Sequence, residues 1–201
     1  MYTVLRATSK TLADYLEQQF QADAELVKLF PKGGGGMVVS LNTPEEMNKN
    51  NTQGLSVWLY RVVRDDQRLN DPPRRIRPNQ SLLPPLPVRL HYLITPITTG
   101  NQSAGPETEQ LILGKVLQAF HSHPELRGTD LQAELAGTDA ELHILLEPMS
   151  LEEITRVWEA LEGSYQLSVS YEVSLVTIEA ATEPERITPV EVVAPEYGLI
   201  T

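Results

Sequence analysis

Few side chains in this chain of 201 residues could do chemistry. The histidines are His91, His121, His123 and His143, and the adjacent carboxylate pairs are Asp65/Asp66 and Glu152/Glu153. His121 and His123 stand two apart, so on a helix they point to different sides and cannot chelate one ion as residues four apart can. His91 and His143 fall on the presumed polar parity of two predicted strands and could approach each other, but a metal there is not expected. Neighbouring carboxylates diverge, whereas the two acids of a glycosidase face one another across substrate; a helix start explains Glu152/Glu153, and loop solvation explains Asp65/Asp66. No serine sits in a G-x-S-x-G elbow, and Gly33 to Gly36 lack both dinucleotide and P-loop spacing. With no cysteine, thiol nucleophiles, disulfides and zinc–thiolate sites are excluded. The sequence therefore predicts no catalytic residue, no metal and no cofactor.

The arginines are distributed more tellingly. Net charge is −11, yet residues 61–100 hold seven basic and three acidic side chains, while residues 101–201 hold four and 18. An acidic chain repels phosphate backbones, so nucleic acid is not an expected partner. A bipolar surface suits charge-complementary protein contacts instead. Arg64, Arg68, Arg74, Arg75 and Arg77 lie among prolines that restrict their segment and reduce the entropy lost on docking. They are candidate protein-interface residues.

Helical periodicity places an amphipathic helix over the first twenty residues, with Leu5, Leu12, Leu16 and Phe20 on its inner face. Thr43-Pro44-Glu45-Glu46 and Ser150 with Glu153 are capping signatures for a short second helix and a fourth. Ile112, Leu113, Val116, Leu117 and Phe120 make a stripe that ends before Pro124. On the helix begun by Ser150, Leu151, Ile154, Trp158 and Leu161 line one face, with Trp158 on its buried side, and Trp58 is also read as core.

Strands are expected at Met37–Leu41, at Leu55–Arg64 with both faces covered, and at Leu86–Thr95 with one apolar face. A short strand follows at Leu142–Leu146, and the sheet's longest member is expected at Tyr165–Leu175. Asp65 to Pro87 reads as an irregular excursion. Strands do not alternate regularly with helices, which favours an α+β fold: one domain over residues 1–180, a mixed sheet with helices on one side, and an extended C-terminal arm over 181–201.

The order of several segments resembles the cap, or tail-terminator, proteins of extracellular contractile injection systems. The resemblance runs through Trp58-Leu59-Tyr60, Leu82-Leu83-Pro84-Pro85-Leu86-Pro87 and Leu90-His91-Tyr92-Leu93-Ile94-Thr95. It continues through Glu109-Gln110-Leu111-Ile112-Leu113-Gly114, Trp158-Glu159-Ala160-Leu161 and the strand Leu167 to Val173, and covers residues 2–180. It implies a tail-terminator-like fold and a non-enzymatic part of a phage-tail-like particle. The protein would be made in the cytoplasm and would form a hexameric ring on the distal end of tube and sheath. A stand-alone protein-binding adaptor stays open as an alternative. So does a small enzyme using residues 65–87 as a lid and His91 as acid or base.

Beyond the resemblance, the arm carries Val190, Val192, Val193, Tyr197 and Leu199, too apolar for a solvating tail and too short for its own core. It is expected to lie on a neighbouring subunit or the filament end. No apolar run is long enough for a membrane span, and the N-terminal residues lack a signal-peptide pattern.

Overall fold

In the computed structural model, which describes residues 2–68, 72, 74–77, 79–98 and 105–186, helix α1 spans Val4–Ala22. Leu12, Tyr15, Leu16 and Phe20 recur at three- and four-residue steps and are all buried. Asp23 ends the helix by turning its carboxylate onto the backbone N–H groups of Glu25 and Leu26, 3.0 and 3.2 Å away. The glycine-rich turn then leads into strand β1, Val38–Ser40. Helix α2, Pro44–Lys49, carries the expected capping box: Thr43 accepts from the Glu46 N–H, and the Glu46 carboxylate accepts from the Thr43 N–H.

Strand β2, Gly54–Arg64, lies parallel to β1 and antiparallel to β5, Leu86–Ile97. Helix α3, Pro106–Ser122, is followed by β6, Glu125–Arg127, then β7, Glu141–Glu147. Helix α4, Leu151–Ala160, precedes β8, Val169–Ile178. The main sheet runs β1-β2-β5-β8-β7-β6, and every pairing except β1–β2 is antiparallel. One face carries the principal core, in which Leu16 and Phe20 of α1 and Ile112, Val116 and Phe120 of α3 meet Leu90, Tyr92, Ile94 and Val173. The fold class is the α+β expected.

Several expectations are corrected. Helices cover both faces, not one. Trp158 and Ile154 of α4 pack on Leu93, on the opposite parity from Tyr92, and Ser56 on that same side donates to the Asn42 carbonyl just ahead of α2. Strand β5 is consequently buried on both faces, His91 and Thr95 included. Strand β2 is buried only through Val57; Trp58 and Tyr60 are half-buried against the α4 cluster, and the end of the strand is uncovered and leaves Val62 46% exposed. The longest strand is β5, with twelve residues against ten in β8. Residues 165–168 are occupied elsewhere: Tyr165 stands edge-on to Trp158, and Ser168 donates to the Gln166 carbonyl.

The excursion from 65 to 87 is not irregular throughout. Strands β3, Arg74–Arg77, and β4, Gln80–Leu82, form a hairpin, and β9, Glu185–Arg186, adds to β4. Pairing beyond residue 180 therefore exists where the sequence suggests none. Residues 187–201 lie outside the described residues, and with them every candidate contact of the arm from Val190 to Leu199.

Candidate functional site

On the face of the sheet that carries α4, the helix covers Trp58 and Leu93 and stops short of the residues beyond them. Tyr60, Arg61, Arg89, His91, Glu147, Ser170 and Glu172 therefore form a polar surface beside it. A register shift between Leu59 and Arg61 sets these side chains in place. The Glu147 carboxylate lies 2.9 Å from His91 Nδ1 and accepts from Ser170 Oγ at 2.6 Å. A carboxylate only accepts when ionised, so Nδ1 is the donor and the imidazole's other nitrogen, Nε2, is left buried without a partner. Burial alone pushes the Glu147 carboxyl up, but the Ser170 hydroxyl and His91 outweigh it, leaving its pKa below the ordinary glutamate value.

Next to this cluster Asp65 is buried, contrary to its reading as a solvated loop residue. Arg89 Nε and Nη2 donate to one of its oxygens at 3.0 and 2.7 Å, and the Gln67 N–H donates to the same oxygen at 3.1 Å. Desolvation raises the Asp65 pKa, yet these donors more than reverse it and hold it below the usual aspartate range. Because the folded-state pKa is depressed, the stability this carboxylate contributes is complete above the unfolded value of about 3.9 and is lost as pH falls through the folded-state value. Asp65→Asn should flatten the acid limb of stability, measured by urea unfolding between about pH 5 and 2; a limb as steep as that of the wild type would contradict this.

The arrangement is poor for catalysis. Ser170 Oγ bonds to a carboxylate, and among the described residues no imidazole stands ready to take its proton. Ligand atoms of His91, Glu147 and Glu172 lie within 4.8 Å of one another, as do those of Glu125, Glu141 and His143. Either group has the donor types for a divalent cation. His91 and His143 belong to different groups, so the approach between them considered from sequence does not occur. In the first group Nδ1 already bonds to Glu147, and Arg89 stands 3.7 Å from Glu172. Its neighbourhood therefore disfavours added positive charge.

The candidate arginines are split. Arg64 ends β2 beside Arg61 and Arg89, lining a groove of about 430 Å³ that also includes Asp66, His91 and Glu172. Arg74, Arg75 and Arg77 belong to the hairpin strand β3, where Arg75 and Arg77 are exposed. Arg68 sits in the short helical turn Asp66–Arg68. Sequence patterning missed Arg61, Arg89 and Glu147, since each reads as an ordinary polar position on an alternating strand. On the other side of the sheet an apolar groove of about 630 Å³ runs between Leu117 and Phe120 of α3 and Leu145 and Leu146 of β7.

These features describe an α+β domain whose distinctive chemistry lies in charged and apolar surfaces. The chain belongs to the family described as the Pvc16 N-terminal domain, matching its model over residues 7–191. Its fold is similar to that of a solved chain of an extracellular contractile injection system, the PVC sheath/tube terminator in the extended state. That match has TM-score 0.56 and 18% identity and covers 94% of this chain and 64% of that one. It is also similar to the anti-feeding prophage cap, a tube-terminating cap, with TM-score 0.57 and 19% identity over 98% of this chain and 61% of that one. The chain thus spans a little over three fifths of the length of those two. No curated protein matches it.

Proposed function

We propose that this chain terminates the tube and sheath of a contractile injection particle, sitting as a hexameric ring at the particle's distal end and acting by assembly rather than by catalysis. The observation that carries this reading is the fold, shared over almost the whole chain with two terminator caps. Family membership over residues 7–191 supports it. The physical logic is that a closed ring satisfies its lateral surfaces in-plane and offers the filament one face, leaving a different face that cannot accept another layer. The main sheet suits lateral contact, since its outermost strands β1 and β6 are each three residues long and have one free edge among the described residues.

In this reading the protein is made in the cytoplasm and meets tube and sheath proteins, not nucleic acid. Purified protein added to polymerising tubes should narrow and shorten their length distribution in electron micrographs. Deleting its gene should give particles of uncontrolled length. Tubes that grow equally with and without it would refute the proposal.

Arg64, Arg68, Arg74, Arg75 and Arg77 are proposed as contacts to acidic protein surfaces. Replacing Arg74, Arg75 and Arg77 by Glu should weaken attachment to filament ends, most sharply at low ionic strength where screening is least. Co-sedimentation with tubes at two salt concentrations reads the effect, with the melting temperature as a check on folding. Residues 181–201 are proposed as an extension that crosses a neighbouring subunit or the filament end through Val190, Val192, Val193, Tyr197 and Leu199. Truncation after Ala180 should weaken attachment while leaving the main sheet folded.

A further inference from the structure

The apolar groove beside α3 stands open. Leu117 and Phe120 of α3 form one wall, Ile144, Leu145 and Leu146 of β7 the other, and Tyr171 of β8 also lines it. Leu145 and Leu146 are 57% and 54% exposed. Among the described residues no Asp, Glu, Lys or Arg lines the groove, although 21% of the chain is charged. Contiguous apolar surface of this kind marks a contact site, and the occupant it fits is an apolar segment with few charges.

The chain carries such a segment. Residues 187–201, beyond the last described strand, include Val190, Val192, Val193, Tyr197, Leu199 and Ile200, with Glu191 and Glu196 as their only charged residues. No charged residue follows Glu196, so the run Tyr197 to Ile200 matches the groove best.

Topology indicates which copy's groove it meets. The groove lies where Leu146 stands opposite Tyr171, whereas Ile178, at the other end of β8, stands opposite Leu86 at the start of β5. Seven residues of β8 separate the two places, about 23 Å at about 3.3 Å per residue. Strand β4 ends at Leu82, four residues before β5 begins, and so runs toward the Leu86 end of the sheet. Strand β9 is antiparallel to β4, with Arg186 opposite Gln80, the end of β4 farther from β5. It therefore leads the chain away from the main sheet. A return to the groove of the same copy must reverse this course and then cover most of the length of β8. A neighbouring copy is within reach: fifteen residues extend to about 50 Å, against roughly 40 Å for the width of a domain of this size.

We infer that the run Tyr197 to Ile200 of each copy seats in the groove between α3 and β7 of the next. This contact rests on the ring reading above and names the surface that receives the arm. Each copy gives one arm and accepts one, which is the head-to-tail arrangement a closed ring needs.

The chain has no cysteine, so disulfide trapping on the whole chain tests the contact. L199C and L146C proteins, mixed in equal amounts under mild oxidation, should cross-link at least about tenfold faster than L199C mixed with V62C, because docking raises the local thiol concentration. Val62 is comparably exposed, at 46%, but lies across the sheet on β2. The double variant L146C/L199C should give a ladder of covalent oligomers on non-reducing gels. L146E and Y197A/L199A should each weaken self-association about tenfold or more in sedimentation velocity while keeping the wild-type melting temperature, the first by burying an unpaired carboxylate and the second by removing apolar contact. A double variant that closes its disulfide within one chain would show the arm folded onto its own groove and overturn the proposal. So would a wild type that associates while L199C reacts no faster with L146C than with V62C; the ring would then stand without this contact. A wild type that stays monomeric at high concentration defeats both.

Discussion

Replacing Trp158 with alanine should lower the stability of the domain by about 3–5 kcal/mol, the range for emptying a buried aromatic site. The indole is 1% exposed and fills a small cluster with Leu93 and Ile154, set apart from the main core. Its Nε1 donates to Ser168 Oγ at 3.2 Å, and Tyr165 packs edge-on at 6.3 Å. Because the cluster is small, its neighbours have little material with which to close the cavity, and the Ser168 hydroxyl loses its donor as well. For a chain of this size the melting temperature should fall by roughly 6–20 °C. Trp158→Phe keeps most of the packing and loses the indole hydrogen bond with part of the ring volume, so it should cost less than the alanine substitution. Hydrogen exchange locates the damage: amides of α4 and of residues 165–168 should speed up before those of β5. An unchanged melting temperature for Trp158→Ala would mean that α4 does not hold that face of the sheet.

The position of Trp158 was legible because helix α4 announces itself locally. Ser150 and Glu153 cap it, and Ile154, Trp158 and Leu161 repeat at helical spacing; both signals depend on residues a few positions apart. Helices α1, α2 and α3 were readable for the same reason. The fold class followed from their order among the strands, and the family from segment order. Which face each helix would cover was not legible. A half-buried alternating strand and a central strand with one polar parity look alike until something packs on the polar side, and His91, Thr95, Ser168 and Ser170 are polar residues that the fold buries. The hairpin of β3 and β4 was hidden by its prolines and arginines, and its third strand, β9, joins from residues 185–186, a distant point in the chain.

The candidate surfaces were partly visible as a run of arginines, but their division was not. Arg89 gives no sequence signal because it sits singly on an apolar strand, and its partner Asp65 lies 24 residues away with no periodic relation to it. The pairing is fixed by the antiparallel register of β2 and β5, which sets Arg64 opposite Val88 and brings Asp65 back to the Pro87 carbonyl at 3.0 Å.

Gly54→Ala should be comparably damaging by a different mechanism, at about 2–4 kcal/mol, combining a backbone conformation disfavoured for L-residues with a steric collision. Gly54 opens β2 at φ +144°, and a β-carbon added there would lie 1.9 Å from the Val38 carbonyl oxygen and 2.6 Å from the Val38 nitrogen. No rotamer relieves a collision between Cβ and backbone, so the β1–β2 contact itself must open. Strand β1 has little to resist with: three residues of parallel pairing, the Met37 N–H to the Leu29 carbonyl at 2.8 Å and the Val38 N–H to the Gln53 carbonyl at 3.0 Å. The substitution should therefore release Met37 to Ser40, seen as fast hydrogen exchange there, before it unfolds the rest of the sheet. Gly34 supplies the control. It also has a positive φ, +88°, but a β-carbon there would meet nothing within 4 Å, so Gly34→Ala should cost only about 1 kcal/mol from backbone strain. Equal costs for the two substitutions, with slow exchange retained at residues 38–40, would show that the approach of Gly54 to Val38 is not what fixes β1 to the sheet.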